Sequence, residues 1–411
     1  MSDRSWSTAE RVARESRGRL VAVLAKKIGD IHAAEDALAE AFAKALTVWP
    51  EKGVPDHPEA WLLTVAQRGF IDGRRAANIA EANEEHLKQL LEEQGERSVG
   101  SSGQGHDADT ASPVHPSEDS RIALLFVCAH PSIDEHIRAP LMLQTVLGVN
   151  ADAMAPLWVS KATTMSHRLV RAKNKISANA IPFVVPAPHE RAERLGAVID
   201  AVYAALTIGG EGLQLALEAE YLAALLASAF PDEPEVLGLF ALCLFRLAIG
   251  NDESVGPIAE RDVSVWDNTR ITRAEVVLKR AAQRRAPGRF QLEAAIQSAH
   301  IIGCLEQRPV HREVVALYRR LIHFAPTLGA HCGLSAALVE TGDLNAAKDI
   351  LEALGERAET YQPYWVVRAK LAEVSDNRTL VLSSLTRART LTSDPHSLAF
   401  IDRWIERAAA G

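Results

Sequence analysis

The sequence has few of the features that mark secreted, redox-active or strand-rich proteins. Its 411 residues include only four cysteines, and no two of them have the CxxC spacing that redox and zinc sites use. These cysteines are Cys128, Cys243, Cys304 and Cys332. Alternating β-branched residues are scarce, whereas alanine, leucine, glutamate and arginine are abundant. The composition therefore predicts a reduced, all-α protein.

Long apolar runs and a signal peptide are missing as well. The chain starts with MSDRSWSTAERVARES, which carries charges where a signal peptide needs apolar residues. The longest apolar segment, residues 236–249, is too short to span a membrane and contains Arg246. We therefore expect a cytoplasmic protein with no membrane partner.

The motifs of common enzyme classes are absent. The chain has no phosphate-binding GxxxxGK(S/T), no GxSxG nucleophile elbow and no HExxH. The glycine-rich residues 209–212 follow no strand pattern, which favours a turn over a phosphate loop. Cys128 and His130 are metal-binding residue types, but a cysteine in an apolar run and a histidine before Pro131 are typical of core and turn positions. We expect no enzyme activity, no catalytic residue, no metal and no cofactor.

Charge is distributed unevenly along the chain. The formal net charge is -8, yet residues 81–119 alone hold ten acidic and two basic residues. The rest of the chain is therefore balanced, and its basic helices keep the local positive charge that phosphate contacts need. Much of this segment is too polar to bury apolar surface, so residues 79–119 are predicted to be an acidic flexible linker.

Residues 160–176, SKATTMSHRLVRAKNKI, are the most informative stretch. With a helical period, one face is apolar and the opposite face is polar or basic. The apolar face holds Met165, Leu169, Ala172 and Ile176, and the other face holds Thr164, His167, Arg168, Arg171 and Lys175. Ser160 can cap the N-terminus of this helix. Its basic face is either a solvated surface or one that lies along phosphates.

The residues before this helix favour the phosphate-binding alternative. Residues 134–147 and 151–158 are predicted to be two short helices separated by Gly148. Short helices, a tight turn and a basic last helix are typical of a helix-turn-helix whose last helix reads DNA. We therefore predict a helix-turn-helix domain at residues 120–180.

Three further helices are predicted before residue 79. The first covers residues 9–28, and Asp30 can cap the second, AEDALAEAFAKALTVW. Pro58 is placed in the first turn of the third helix, where its missing N–H costs nothing. Three carboxylates of the second helix are either a solvated face or a docking surface for a basic partner. They are Glu35, Asp36 and Glu40.

The C-terminal half has a weak internal repeat. Residues 181–190 form a proline-rich connector, and residues 191–411 have a helical pattern throughout. LYRRLIHFAP from Leu317 is echoed by DILEALGERAE from Asp349, a separation near the roughly 34-residue tetratricopeptide period. We expect a tetratricopeptide-like (TPR-like) helical stack with an open number of repeats. Its concave face is a candidate site for a protein or small-molecule ligand.

Several of these blocks occur in the order found in one family. The chain resembles the extracytoplasmic-function (ECF) group of the sigma-70 family of RNA polymerase sigma factors, through AEDALAEAFAKAL, PEAWLLTVAQRGFIDGRR, HPSIDEHIRAPLMLQTVLG and TTMSHRLVRAKNKI. It also resembles the subgroup with a TPR-like extension, through IPFVVPAPHERAERLGAV and PDEPEVLGLFALCL. The resemblance implies that residues 9–78 are sigma region 2 and residues 120–180 are sigma region 4. It further implies core RNA polymerase and promoter DNA as partners.

The resemblance also implies roles for particular side chains. Docking on the coiled-coil clamp of the largest polymerase subunit would involve Glu35, Asp36, Leu38, Glu40 and Phe42. Opening and holding the promoter -10 element would involve Arg68, Asp72, Arg74 and Arg75. Reading the -35 element would involve Lys161, Thr163, Thr164, His167, Arg168, Arg171, Lys173 and Lys175.

Two functions are compatible with the sequence. The leading hypothesis is a bacterial sigma factor that directs promoter-specific transcription initiation, with the C-terminal helices regulating its activity. The alternative is a helical-repeat scaffold whose sigma-like half has lost promoter recognition and only binds a partner. This alternative depends on the lack of a net positive charge and on Pro156, which is expected to cost the first helix of the motif about 3 kcal/mol or to shorten it.

Overall fold

A computed structural model describes residues 2–92, 120–155, 158, 160–208, 213–250, 258 and 261–410 of the protein. All regular secondary structure within these residues is helical, which confirms the predicted all-α fold. The chain divides into two compact units, Met1–Ala201 and Val202–Gly411, which we call unit 1 and unit 2. Three predicted features lie outside the described residues: Pro156, the glycine-rich residues 209–212 and residues 93–119 of the predicted linker. Residues 79–92, which the prediction placed in the flexible linker, are helical.

Unit 1 starts with three long helices. These are α1 (Ser2–Ile28), α2 (Ile31–Lys52) and α3 (Pro58–Glu92). Gly29, between the first two, has a positive φ of 79°, and Oδ1 of Asp30 accepts a hydrogen bond from the backbone N–H of Ala33 at 2.9 Å. Pro58 is the first residue of α3. The predicted helix break, the Asp30 cap and the position of Pro58 are therefore confirmed.

Five helices follow in the second part of unit 1. They are α4 (Ser120–Cys128), α5 (Glu135–Leu147), α6 (Ala151–Met154), α7 (Ala162–Ala178) and α8 (Pro188–Ile208), within which the boundary to unit 2 falls. Gly148 ends α5 in the left-handed conformation, so the predicted break there is confirmed. The predicted Ser160 cap is wrong, because Lys161 holds the cap position and the Ser160 hydroxyl is directed to the Lys161 carbonyl oxygen. The helix starts too far along the chain for the Ser160 side chain to reach its first free N–H groups.

Helix α1 is the centre of the unit 1 core. Leu20, Val21, Ala22, Leu24 and Ala25 are each at most 1% exposed. Three consecutive buried residues extend over more than half of the helix circumference, so α1 is buried on more than one face. The helix packs against α2 and α3 and also against α4 and α5. Every residue of α4 after Ser120 is buried. The helices predicted for residues 9–78 and those predicted for residues 120–180 therefore share one apolar core.

Unit 2 is a succession of helices, and those from α11 onward are joined by short connections. They are α9 (Leu213–Ala229), α10 (Pro234–Ala248), α11 (Asn268–Gln283), α12 (Arg289–Leu305), α13 (His311–Phe324), α14 (Leu328–Thr341), α15 (Leu344–Leu354), α16 (Gln362–Val374), α17 (Arg378–Thr390) and α18 (Pro395–Ala410). The apolar α10 packs against α9, α11 and α12 and is buried at most of its positions. Among the described helices, none combines the length and the apolarity that crossing a bilayer requires.

The last six helices recur at a regular spacing. Helices α13, α15 and α17 begin at residues 311, 344 and 378, and α14, α16 and α18 begin at residues 328, 362 and 395. Equivalent helices thus start 33 or 34 residues apart, which is the tetratricopeptide spacing. The echoed segments from Leu317 and Asp349 begin in α13 and α15, the first helices of two successive pairs.

Candidate nucleic-acid interface

Helix α7 carries an exposed basic face. Its apolar residues Met165, Leu169, Ala172 and Ile176 are buried, as predicted. Seven predicted DNA-binding residues are exposed: Lys161, Thr163, Thr164, His167, Arg168, Arg171 and Lys175. No carboxylate in the described part of the chain forms an ion pair with any of these side chains. The face can therefore neutralise phosphates without first breaking an ion pair.

A groove runs along the side of this face. Its volume is about 600 Å³, and Ile137, Trp158 and Met165 provide apolar walls. Arg168, Arg171 and Lys175 of α7 line its basic side, and Asp134 and His136 line the side near α5. The groove places apolar surface next to the cations, so it can contact both the sugar and the phosphate groups of a nucleic acid.

Lys173 differs from the other basic residues of α7. Its side chain is only 6% exposed, and its Nζ lies 2.6 Å from Oε2 of Glu35 on α2. The predicted contact of Lys173 with DNA is not possible in this state. The reason is its position four residues after Leu169 and three before Ile176, which places it beside the buried stripe.

The residues predicted to bind polymerase are in three different environments on α2. Asp36 and Glu40 are exposed, whereas Phe42 is half-buried. Leu38 is 2% exposed and belongs to the core of unit 1. Glu35 is half-buried, with its Oε1 3.7 Å from Nη2 of Arg17. The surface that α2 offers to a partner therefore consists of its exposed carboxylates and the accessible part of Phe42.

The third predicted group lies on α3. Arg68, Asp72, Arg74 and Arg75 are all exposed. The guanidinium of Arg74 lies 5.8 Å from the centre of the Phe70 ring. Phe70 is half-buried, and a guanidinium over an aromatic ring is an arrangement that can stack on an unpaired base and contact its phosphate.

The two residues weighed as metal ligands occupy ordinary structural positions. Burial raises the pKa of the Cys128 thiol to about 12, against the opposing effect of a hydrogen bond with the Thr145 hydroxyl. Nδ1 of His130 accepts a hydrogen bond from the backbone N–H of Ser132 at 3.1 Å. Burial, followed by the nearby charge of Arg194, lowers the pKa of His130. Within the described ranges, no three His, Cys, Asp or Glu side chains are grouped so that they could hold a metal.

Three contacts that the sequence did not predict join the two halves of unit 1. The first is the ion pair between Lys173 and Glu35, and the second is a hydrogen bond of 2.6 Å from the Ser177 hydroxyl to Oδ2 of Asp30. The third is the approach of α1 to the end of α5, where a Cβ on Gly18 would overlap the backbone oxygen of Val146. An isolated glycine inside a helical pattern was the only local signal for any of them.

Two family models match parts of the chain, one of them in the first of these halves. Residues 12–78 match sigma-70 region 2. The region 2 match covers most of α1, all of α2 and the first part of α3, so it includes the predicted polymerase-binding and -10 residues. Residues 194–282 match a family of unknown function, DUF6596.

The chain is similar to an uncharacterized protein along its whole length and to a probable sigma factor along part of it. An uncharacterized protein of Rhizobium meliloti (strain 1021) is 29% identical over 425 residues, covering 100% of this chain and 97% of the relative. A probable ECF RNA polymerase sigma factor, SigI of Mycobacterium tuberculosis, is 28% identical over 177 residues, covering 43% of this chain and 57% of SigI. No solved structure matches. The region 2 match and the similarity to SigI support membership of the sigma-70 family.

Proposed function

We propose that this protein is a sigma factor that binds core RNA polymerase and directs initiation at specific promoters. The observation that carries the proposal is the sigma-70 region 2 match over residues 12–78. It is supported by α7, an exposed basic helix that follows short helices and a left-handed glycine. The protein would act by binding and positioning, so the function needs no catalytic residue of its own.

Polymerase would dock on α2 through its exposed carboxylates. Asp36 and Glu40 are separated by one helical turn, so they point in similar directions from α2. An exposed acidic pair attracts a basic partner and orients its approach. The buried Leu38 would support this surface from the core, and Phe42 would add apolar contact at its edge.

Promoter DNA would be bound by two helices with different tasks. On α3, Arg68, Arg74 and Arg75 would hold the -10 element, with the Arg74 and Phe70 pair next to unstacked bases. On α7, Arg168 and Arg171 would contact phosphates, whereas Thr163 near the N-terminus of the helix would reach base edges of the -35 element. The assignment of α7 to sigma region 4 belongs to this proposal.

Unit 2 would regulate the sigma activity. The spacing of 33 or 34 residues between equivalent helices supports a TPR-like extension of the kind carried by one ECF subgroup. Stacked helical pairs of this kind bind ligands through an extended surface. The regulator bound there would be a protein or a small molecule.

The experiment that tests the proposal is transcription in vitro with purified core polymerase on a promoter library. The full chain is expected to start transcripts from a small set of sequences. The charge-reversal variants Asp36→Lys and Glu40→Lys should each reduce this activity by about tenfold or more, because they weaken polymerase binding. Glu51→Lys, an exposed carboxylate at the far end of the same helix, is the matched control. An equal loss in all three variants would contradict the proposed docking surface.

The alternative function, a scaffold with a sigma-like binding module, is favoured by one observation. The helices assigned to region 2 and the helices around α7 share a core, which a protein without DNA-binding activity could keep permanently. Core polymerase binding without promoter-specific transcripts, under every salt condition tried, would establish the scaffold function instead.

A further inference from the structure

Helix α11 borders a groove where two parts of unit 2 meet. The match to DUF6596 ends at residue 282, within α11, and the regularly spaced helices begin with α13. The groove follows α11 over residues 268–285, with α12 and α13 on its other side. Its two parts have volumes of about 560 and 810 Å³ and share Val276. We call this surface the α11 groove, and it lies outside the sites proposed above.

The base of the α11 groove is apolar. Leu292 of α12 is only 6% exposed, and Leu317 of α13 is half-buried. Both line the larger part of the groove, together with Leu278 of α11. Val276, by contrast, is 57% exposed at the point that both parts share. A ligand with an apolar side would therefore gain free energy by covering Val276.

The rim of the groove is cationic. Three exposed cations line its larger part: Lys279, Arg285 and Arg320. Across the residues that the structure describes, no carboxylate forms an ion pair with any of the three. Glu275 is the one carboxylate among the lining residues, and it is half-buried and accepts a hydrogen bond from the Ser298 hydroxyl. The rim can therefore attract an anion without first breaking an ion pair.

Arg273 continues this rim along the smaller part of the groove. Its guanidinium lies 4.9 Å from the centre of the Phe240 ring, and none of the described carboxylates forms an ion pair with it. The ring holds the guanidinium in place, so less side-chain freedom is lost when a ligand binds. Arg273 and Arg285 are about 18 Å apart along the helix direction, at 1.5 Å per residue. A ligand that matches this rim must therefore carry several negative charges spread over a similar length.

A groove of this length fits a helix of a partner protein. Residues 268–285 extend over about 25 Å, the length of a helix of about 16 residues. The described residues offer no strand for a peptide to pair with, and the residues that line the groove include no aromatic ring to receive a polyproline segment. An amphipathic helix can instead insert apolar side chains over Val276 and Leu292 and direct carboxylates to the rim. Duplex DNA fits less well, because its grooves admit a protruding element and this surface is concave.

We propose that the α11 groove is a docking site for an acidic amphipathic helix of a partner protein. This helix would be the regulator of unit 2, so its regulatory role rests on the proposed sigma function. The binding itself needs neither core polymerase nor promoter DNA. It can therefore be measured with the full chain alone, separately from transcription.

Fluorescence anisotropy with a labelled model peptide tests the docking site. The probe is a synthetic peptide of about 16 residues that contains only glutamate, alanine and leucine, with a leucine at every third or fourth position. A scrambled peptide of the same composition has the same charge but no apolar face. The full chain should bind the amphipathic peptide about tenfold more tightly than the scrambled one. Equal affinities would overturn the proposal, because charge alone would then account for the binding.

Substitutions at exposed positions locate the peptide on the chain. Lys279→Glu and Arg320→Glu should each weaken binding by about tenfold, because each replaces an attraction by a repulsion. Val276→Ser should weaken it by about threefold or more without a change of charge, since less apolar surface is covered. Arg387→Glu on α17 is the matched control, because this exposed cation does not line the groove. Circular dichroism would verify that all four variants stay folded. Unchanged binding in both groove variants, or an equal loss in the control, would overturn the proposal.

Exchange of charge between the rim and the ligand tests for direct contact. A second peptide carries lysine in place of every glutamate. The double variant Lys279→Glu with Arg320→Glu should bind this peptide about tenfold more tightly than the wild-type chain does, because rim and ligand have both reversed sign. No gain would contradict contact between the rim and the peptide. Binding of duplex DNA that is lost in the double variant, with binding of the acidic peptide unchanged, would assign the groove to nucleic acid instead.

Transcription in vitro separates the docking site from the sigma function. At a saturating concentration, the acidic amphipathic peptide should change the yield of specific transcripts from the wild-type chain and not from the double variant. An unchanged yield with the peptide bound would disprove its regulatory role alone. Specific transcription without groove-dependent peptide binding would disprove the docking site and leave the sigma function intact. Groove-dependent binding without specific transcription would support the docking site and disprove the sigma function.

Discussion

Oε2 of Glu235 on α10 accepts a hydrogen bond of 2.9 Å from the backbone N–H of Phe290 at the start of α12. Helix α12 has Gly288 at its cap position, so it has no capping side chain of its own. Oε1 of the same carboxylate accepts from the next backbone N–H, that of Gln291. A residue more than fifty positions earlier therefore caps the helix.

Replacing this carboxylate should destabilise unit 2. We expect Glu235→Ala to lower the free energy of unfolding by about 1–2 kcal/mol, because two N–H groups lose a charged acceptor. Glu233→Ala is the matched control, since Glu233 stands at the start of α10 and makes no capping hydrogen bond. Urea titration followed by circular dichroism measures both. Similar midpoints for the two variants would show that the tertiary cap contributes little.

Gly238 should tolerate no larger side chain. Its Cβ position lies 2.5 Å from the backbone nitrogen of Gln291, so α10 and α12 touch through their main chains. We expect Gly238→Ala to cost about 1–3 kcal/mol through overpacking. In Gly196→Ala, where the space is open, the better helix propensity of alanine should instead stabilise by about 0.5–1 kcal/mol. Thermal unfolding of the two variants would show opposite shifts if the close approach is real.

The basic face of α7 should divide its tasks between phosphates and bases. Arg171→Ala is expected to weaken the binding of polymerase holoenzyme to all promoter fragments alike and to reduce the salt slope by about one unit. Thr163→Ala should change the preference at one base pair by about 1–3 kcal/mol and leave the salt slope as it is. Fluorescence anisotropy over a range of salt concentrations measures both quantities. Indistinguishable profiles for the two variants would contradict the assigned division.

Asp30 should make stability depend on acid pH. Burial tends to raise the pKa of Asp30, but hydrogen bonds from Ser177 and from the backbone of Ala33 lower it below its ordinary value of 3.8. A lowered pKa means that the carboxylate adds stability above pH 3.8, which disappears as the pH falls through the folded-state pKa.

The test compares wild type with Asp30→Asn across this pH range. The difference in unfolding free energy should be some tenths of a kcal/mol to about 1 kcal/mol at neutral pH, after allowance for solvent screening. It should shrink as the pH falls below 3.8 and vanish below the folded-state pKa. Asp36→Asn, at an exposed carboxylate of the same helix, is the matched control. A constant difference for Asp30→Asn at all pH values would mean that its charge is not involved.

Local patterns predicted the helices and several of their ends. The apolar stripe of α7, the Asp30 cap and the Gly148 break all depend on residues within one or two turns, and each was visible in the sequence. The ion pair of Lys173 depends on a carboxylate 138 residues earlier. No rule of helical spacing identifies such a partner, so Lys173 was assigned to the exposed face together with its basic neighbours.

Local sequence patterns also did not predict that the first helices of unit 1 pack against the helices around α4. The segments around α1 and α4 each have the apolar content of a small independent core, and the sequence gives no sign that they pack on each other. Gly18 and Gly238 permit close approaches to elements far away in the chain, and what each glycine meets is fixed only by the fold. The predicted binding roles of α2, α3 and α7 stay predictions until the measurements above are made.

The regular spacing of the last six helices allows the chain to change in length by whole helical pairs. Their main contacts are between neighbours, so each helical pair contributes its own stability and one interface. A whole pair can therefore be gained or lost through a duplication or deletion of 33 or 34 codons without redesign of the remaining core. We expect natural length variation in this half of the molecule to come in steps of one pair, with the terminal pair keeping a polar outer surface.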